Sequence, residues 1–307
     1  MLWLKKILNN WYIKVVLLCF VSLIYTGGWC EIKHPLNPNL KLVVGDTTAI
    51  FDSLHCSYPV VSPDGKKVYF LAADTDSLFH YIYGGIGSLY VVDTDGRNLM
   101  KILDGKFNAL SISHSGTKVA VHVNSGSYFS ITPESLILII NLEEPIAIDS
   151  FWITSKWLIK SEWSKNDNYL YYFYGRIYRL NLTTGEEEIV ATNSGIAGFD
   201  LYKDDALYID SLLAIPELNP IHQNYVIGTK YEFNGSLLIR NISQGTLLEL
   251  PASCEPYGSG LIGSGLIGYP YWFPDGNTIV FAASPYIQGT GAPAEIWILE
   301  NVFEQIK

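Results

Sequence analysis

One pattern recurs along the chain and restricts its fold more than any other feature: strand, polar turn, strand. It stands as Tyr58-Pro-Val-Val-Ser-Pro-Asp-Gly-Lys-Lys-Val-Tyr-Phe-Leu-Ala72 and as Ala109-Leu-Ser-Ile-Ser-His-Ser-Gly-Thr-Lys-Val-Ala-Val-His-Val123. It returns as Lys160-Ser-Glu-Trp-Ser-Lys-Asn-Asp-Asn-Tyr-Leu-Tyr-Tyr-Phe173 and as Tyr269-Pro-Tyr-Trp-Phe-Pro-Asp-Gly-Asn-Thr-Ile-Val-Phe-Ala-Ala283. A weaker copy is Gly198-Phe-Asp-Leu-Tyr-Lys-Asp-Asp-Ala-Leu-Tyr-Ile209. In Ser62-Pro-Asp-Gly65 and Phe273-Pro-Asp-Gly276, proline sits where φ is fixed near −65° and glycine where a positive φ is needed, so the chain reverses.

A second hairpin follows most copies. Ser88 to Ile102 has apolar runs around an Asp-Gly turn, and Arg176 to Val190 and Ser236 to Leu250 repeat the design with Thr-Gly and Gln-Gly. Two hairpins make a four-stranded unit that cannot bury both of its faces alone. Radial packing of several units solves this and leaves only short edges. The expected fold is therefore all-β, a β-propeller of six four-stranded blades, with residues 195–250 the most degenerate stretch. Trp163 and Trp272 fall on inner strands, and no convincing amphipathic helix is present.

The residues Ser62-Pro-Asp-Gly-Lys-Lys-Val-Tyr-Phe70, followed by Ser88-Leu-Tyr-Val-Val-Asp-Thr-Asp-Gly96, resemble the WD40-like repeat of TolB-type β-propellers. Trp272 to Phe281 with Glu295-Ile-Trp-Ile-Leu299 looks like another full copy, and the likeness covers most of residues 58–300. The resemblance implies the fold, an exported location and a scaffold used mainly for binding. TolB carries an α/β domain before its propeller. The span between Cys30 and the first repeat is too short for that domain, so TolB's role in the envelope Tol system is not carried over.

Residues 1–28 have the layout of a secretory signal peptide: Lys5, Lys6 and Lys14 are the only charges, and the apolar run Val15 to Tyr25 ends in Thr26-Gly27-Gly28. A membrane helix needs ~20 apolar residues, so a cleaved signal is favoured over a retained anchor. Residues 29–50 read as a linker with a candidate ring-closing strand, and 51–307 as the propeller. The full chain has net charge −10, from 20 basic and 30 acidic residues, and losing the three lysines deepens the deficit. Such a surface disfavours nucleic acid, which requires clustered cations.

Of the cysteines, Cys30 stands where a lipid-modified residue would, although Trp29 before it departs from the Leu-small-small-Cys pattern. Membrane contact is thus expected only through the signal segment or a lipid on Cys30. After export, Cys56 and Cys254 would meet an oxidising compartment. If the ring closes, Cys56 lies just before the first blade and Cys254 leads into the last, a candidate disulfide across the seam.

Catalytic motifs fail on context. Gly258-Ser-Gly-Leu-Ile-Gly263 and Gly263-Ser-Gly-Leu-Ile-Gly268 match Gly-x-Gly-x-x-Gly but run into Tyr269-Pro270 and a strand rather than a helix. There is no Gly-x-Ser-x-Gly, His-Glu-x-x-His or Cys-x-x-Cys. The six histidines lack ligand spacing; His80 and His122 are the pair placed to approach one side of a channel, but His122 reads first as a strand residue. No cofactor, catalytic residue or metal ligand is assigned.

Geometry then points to one face. Loops joining second to third strands and successive blades emerge opposite the tight Asp-Gly turns, and the long ones, 73–87, 124–135, 251–268 and 284–294, all lie there. They carry Phe79, Tyr81, Tyr83, Tyr128, Phe129 and Tyr286 among Gly and Ser, a composition suited to recognition. The expected function is an exported binding module at the cell envelope with a protein or glycan partner. The alternative is a carbohydrate-active propeller, a metal-dependent lyase or glycan binder, which a His-rich or carboxylate-rich channel would favour.

Overall fold

The computed structural model of the protein describes residues 37–45, 54–73, 87–124, 135–153, 160–192, 196–230, 237–251, 266–284 and 295–306. All lie in the unit His34–Lys307, separate from Met1–Lys33. The structure is built from antiparallel strands. Strands β2 (His55–Val61), β3 (Lys67–Ala73), β4 (Gly87–Asp93), β5 (Met100–Ile112), β6 (Lys118–Asn124), β7 (Ser135–Asn141) and β8 (Ala147–Ile153) form one meander. Here β5 is shared. Met100 to Leu103 pair with β4 at a sheet edge, while Leu110 to Ile112 pair with β6 and begin the next group of four.

Two more four-stranded sheets follow. One is β9 (Lys160–Trp163), β10 (Tyr169–Phe173), β11 (Ile177–Asn181) and β12 (Glu187–Ala191); the other is β15 (Leu213–Leu218), β16 (Tyr225–Lys230), β17 (Leu237–Asn241) and β18 (Thr246–Glu249). Between them in sequence sits a two-stranded sheet, β13 (Gly198–Leu201) and β14 (Leu207–Asp210). The last sheet runs β19 (Leu266–Trp272), β20 (Ile279–Ser284), β21 (Glu295–Leu299), and its fourth strand is β1 (Leu40–Val44), paired as Leu40 with Leu299 and Leu42 with Trp297. The beginning of the described chain thus completes the sheet that contains its end. A short helix, α1 (Val302–Gln305), follows.

The second strands are apolar on both sides, which is what stacked sheets require. In β3, Val68 and Phe70 join Cys56, Val92, Val44 and Ile296 in one layer, whereas Tyr69 and Leu71 join Leu110, Val119 and Val121 in another. Further layers lie between β6–β7 and β9–β11, with Trp163 and Tyr172, and between β10–β11 and β13, with Phe173 and Phe199. Two more lie between β14 and β15–β17, with Tyr208 and Val226, and between β16–β17 and β19–β21, with Ile227 and Phe281. Each sheet is sandwiched between two others, and the layer holding Val44, Cys56 and Phe70 joins the last sheet to the first.

Turn chemistry repeats as the sequence reading expects. In the first three copies one hydroxyl residue takes the same bonds: the backbone N–H of Ser62, Ser113 and Ser164 donates to the carbonyl of Lys67, Lys118 and Tyr169, and each Oγ accepts the N–H of that same residue at 2.9–3.0 Å. The reversing position has positive φ throughout: Gly65 (71°), Gly116 (71°) and Gly276 (66°), with Asp167 (56°) and Asp205 (62°) in the copies lacking glycine. The hairpin β15–β16, in the degenerate stretch, was not legible as a copy. Its turn residue is Asn219, whose Oδ1 accepts the nearer N–H groups of Ile221 and His222, a different pattern from that of the serines.

Among the described residues no helix is long and apolar enough to cross a membrane.

Candidate functional site

The innermost strands β2, β5, β9, β13, β15 and β19 face one another around a common channel, and counting back from each turn residue aligns them. Two positions before Ser62, Ser113, Ser164, Tyr202, Asn219 and Phe273 stand Val60, Ser111, Glu162, Asp200, Glu217 and Tyr271. Three neighbouring strands therefore present a carboxylate at the same level. One position nearer the turn come Val61, Ile112, Trp163, Leu201, Leu218 and Trp272, and all six border a cavity of about 390 Å³ at the turn end of the channel. Two positions further from the turn than the carboxylates are Tyr58, Ala109, Lys160, Gly198, Ile215 and Tyr269.

Lys160 reaches from that deeper level to the carboxylates. Its Nζ lies 2.9 Å from Glu217 Oε1, 3.2 Å from Glu162 Oε1 and 3.7 Å from Asp200 Oδ1, and it also donates to the Pro216 carbonyl. Lys160 and Glu162 share one side of β9 because alternate strand residues do. Asp200 is held by the N–H groups of Leu201 and Leu218, the second on the neighbouring sheet. Burial alone would lower the lysine pKa, but Asp200, Glu162 and Glu217 raise it above its ordinary value. Burial pushes the carboxyls up against that attraction: Glu162 to about 7, Glu217 well above the usual range, Asp200 upward.

Above this cluster the channel is narrowed by Tyr58 and Tyr269, whose ring centroids lie 3.9 Å apart at 32°. Both precede a proline and have positive φ, 51° and 55°, as does Ile215 (52°) before Pro216. The inner strands bulge there, with register shifts at Ser57/Val60, Ala214/Glu217 and Gly268/Tyr271. A chamber of about 30 Å³, room for roughly one water, remains between the tyrosines and the ionic cluster. Among the described residues, the channel is wider towards the turns than at the Tyr58–Tyr269 pair.

The cavity mouth is braced by contacts between turns of successive sheets. Asp167 accepts the N–H groups of His114 and Ser115 at 2.8 and 3.1 Å, Asp205 accepts that of Lys165 at 2.7 Å, and Asn219 Nδ2 donates to the Gly276 carbonyl at 2.7 Å. Pro63 packs on Gly116, where an added Cβ would come within 2.8 Å of its ring, and Pro274 packs on Gly65. Behind the wall, Trp272 Nε1 donates to the Glu217 carbonyl at 3.0 Å and Trp163 Nε1 to that of Ser111 at 3.4 Å, so both inner-strand tryptophans tie one sheet to the next.

Glu162, Asp200 and Glu217 are the one group of described residues whose ligand atoms could hold a metal, lying within 4.8 Å of one another. The Lys160 ammonium sits against all three from the level further from the turns. His122 is buried on β6 with Nδ1 on Asn108 Oδ1, and its ring belongs to the strand rather than to the channel. Burial lowers it to about 4. Cys56 is a buried thiol donating to the Leu54 carbonyl at 3.6 Å. The loop aromatics Phe79, Tyr81, Tyr83, Tyr128, Phe129 and Tyr286, together with His80, Cys30 and Cys254, lie outside the described residues. The ionic cluster was not legible in the sequence: Glu162 and Asp200 stand at matching positions before their turns, but the Asn219 turn that places Glu217 beside them does not read as a copy.

No family model matches the sequence, and the search of curated proteins finds no match. Solved structures do resemble it. One is the structure of U3-55K, at 12% identity over 87% of this chain and 99% of that chain with a TM-score of 0.54. Another is a chain of the mitotic checkpoint complex, at 11% identity over 88% and 95% with a TM-score of 0.51. Both are WD40-type propellers, and at these identities the likeness concerns the fold alone. Together with the stacked sheets around one channel, it identifies the chain as a β-propeller.

Proposed function

We propose that the chain is an exported, TolB-like propeller of six blades that acts as an interaction module at the cell envelope, and that the channel mouth is a principal binding surface. The observation that carries this is the cavity of about 390 Å³ walled by residues of six separate inner strands. A propeller ring leaves a central channel in any case; what favours binding is its lining, apolar residues of six strands around three carboxylates. Export rests on the layout of residues 1–28, and the blade count on the six inner strands and the apolar layers between their sheets. The loop-face aromatics, on the face opposite the turns, are retained as the alternative contact surface.

Affinity capture from an envelope extract tests the reading. Gln223 lies at the mouth, and Gln223→Trp should block it and abolish capture while thermal unfolding stays unchanged. Replacing Tyr81 and Tyr83 with Ala should weaken capture by about 1 to 4 kcal/mol if they are anchors. Capture untouched by either change would overturn the module reading; capture lost only in the tyrosine variant would move the site to the loop face.

A carbohydrate-active propeller is the second reading. It is favoured by Glu162, whose carboxyl is lifted to about 7 and which borders a cavity of sugar-ring size. Release of reducing ends from an oligosaccharide panel, lost in Glu162→Gln, would establish it. Absence of release across the panel would leave the module.

A further inference from the structure

Resting on the reading of the channel mouth as a binding site, we propose that the cavity takes a ligand bearing one primary amine or guanidinium on an apolar stem. A lysine or arginine side chain of a partner, or a free alkylamine, presents that chemistry.

Three features of the cavity converge on it. Its size comes first: about 390 Å³, with the ionic cluster on its inner side and the Tyr58–Tyr269 pair beyond that. Second, its wall is amphipathic, with Val61, Ile112, Leu201, Leu218, Tyr202 and Tyr271 around the stem's path, and aromatic faces there attract a cation as well as an alkyl chain.

Third, its floor is unbalanced. Glu162, Asp200 and Glu217 border the cavity, three carboxylates against one ammonium. That ammonium approaches from the level further from the mouth, so it covers the carboxylates from that side. The opposite side of the cluster faces the cavity. A structural ion pair would be matched charge for charge, because each uncompensated buried carboxylate costs several kcal/mol. In the empty protein the excess is met by protons, in keeping with the upward displacement of all three carboxyls. A ligand cation on the cavity side would replace a proton.

The other titratable groups around the cluster are Tyr271, Tyr58 and Tyr269, all held above the usual phenol range by burial and neutral at physiological pH. His114, Lys165 and Lys203 also border the cavity and are exposed.

The experiment is calorimetric titration of the full chain with hexylamine, with Nα-acetylarginine amide, and with hexanol as the neutral isostere, at pH 6 and pH 8. Both cations should bind, with hexanol at least about tenfold weaker. Cation affinity should rise about tenfold between the two pH values, as exchange with one proton on a carboxyl titrating near 7 requires. Glu217→Gln should lose at least about tenfold. The pH profile and the isostere comparison need no variant, so they stand even if that one folds poorly. Arginine amide binding far better than hexylamine identifies a peptide side chain as the source, and the reverse a free amine; both support the cation.

Hexanol binding as tightly as hexylamine, or affinity falling as pH rises, would overturn the inference and leave the cavity as a binding site. If none of the three binds and Gln223→Trp leaves partner capture intact, the inference and the reading beneath it both fail.

Discussion

Lys160 is the residue on which the channel's electrostatics turn. It contacts groups on β13 and β15 from β9, so it ties three sheets at once. Lys160→Met would keep the stem and remove the charge, leaving three carboxylates facing one another. Breaking a buried pair this way typically costs about 3 to 5 kcal/mol. The sign with pH follows from the carboxyls: a folded pKa raised above the unfolded value means the folded state binds more protons between the two, so stability falls as pH rises through that window. Without Lys160 the carboxyls rise further. The penalty should therefore be largest at pH 8 and shrink towards pH 5, as urea unfolding at both pH values would show. A pH-independent loss would mean that packing of the stem, not charge, is what Lys160 supplies.

Glu162 gives the complementary test. Its folded pKa near 7, against an ordinary value of 4.5, means that stability is lost as pH rises through that window and that the loss is complete above it. Glu162→Gln should leave the melting temperature nearly unchanged at pH 4 and raise it at pH 8.5. A fall at pH 8.5 would mean that the Lys160 contact outweighs desolvation.

At the scale of elements, the turns do more than reverse the chain. Asp167 sits in the β9–β10 turn yet satisfies two backbone donors of the β5–β6 turn. Hydrogen bonds to charged groups contribute about 1.5 to 3 kcal/mol each at most, less where exposed. Asp167→Ala should cost about 1 to 2 kcal/mol, visible as a lower urea midpoint with an unchanged slope. Trp272 combines packing with a bond to Glu217 on another sheet, so Trp272→Ala should cost about 3 to 5 kcal/mol. Trp272→Phe should recover most of the packing and leave the Glu217 carbonyl unpaired, a residual of about 1 kcal/mol. Equal losses in the two variants would show that the cross-sheet bond matters more than the packing.

The pair β13–β14 is the sparsest sheet, two short strands where its neighbours have four. It is held by Phe199 on one side and Tyr208 on the other. Asp200 adds a polar tie to Leu218.

For the whole molecule, stability depends on closing the ring of sheets. Strand β1 pairs with β21 and places Leu40 in one layer and Val43 and Val44 in the layer joining the last sheet to the first. Leu40→Ala should cost about 2 to 4 kcal/mol, although it lies more than two hundred residues from its partner Leu299. Hydrogen exchange should then show faster opening in β1 and β21 while β10 and β11 keep their protection. Uniform loss of protection would mean that the ring opens only as one cooperative unit.

What is local in this fold was legible in the chain of residues alone: strand content, the positions of the reversals and the residues that make them. A Pro-Asp-Gly or Ser-x-x-Gly turn sets its own φ angles and hydrogen bonds among near neighbours, whatever lies beyond. The inner-strand positions of Trp163 and Trp272 were legible for the same reason, being counted from those turns. The β15–β16 hairpin was not, because Asn219 accepts the N–H groups two and three residues on where the serines accept the one five residues on, so both the letters and the hydrogen bonds differ. The meeting of Glu162, Asp200 and Glu217, and the service of a lysine from one level to carboxylates of another, came from the three-dimensional packing alone. These residues lie on three strands well separated in the chain, and no local rule brings them together. Ring closure does, because it aligns the inner strands at one level and leaves each polar side chain no nearer solvent than the channel.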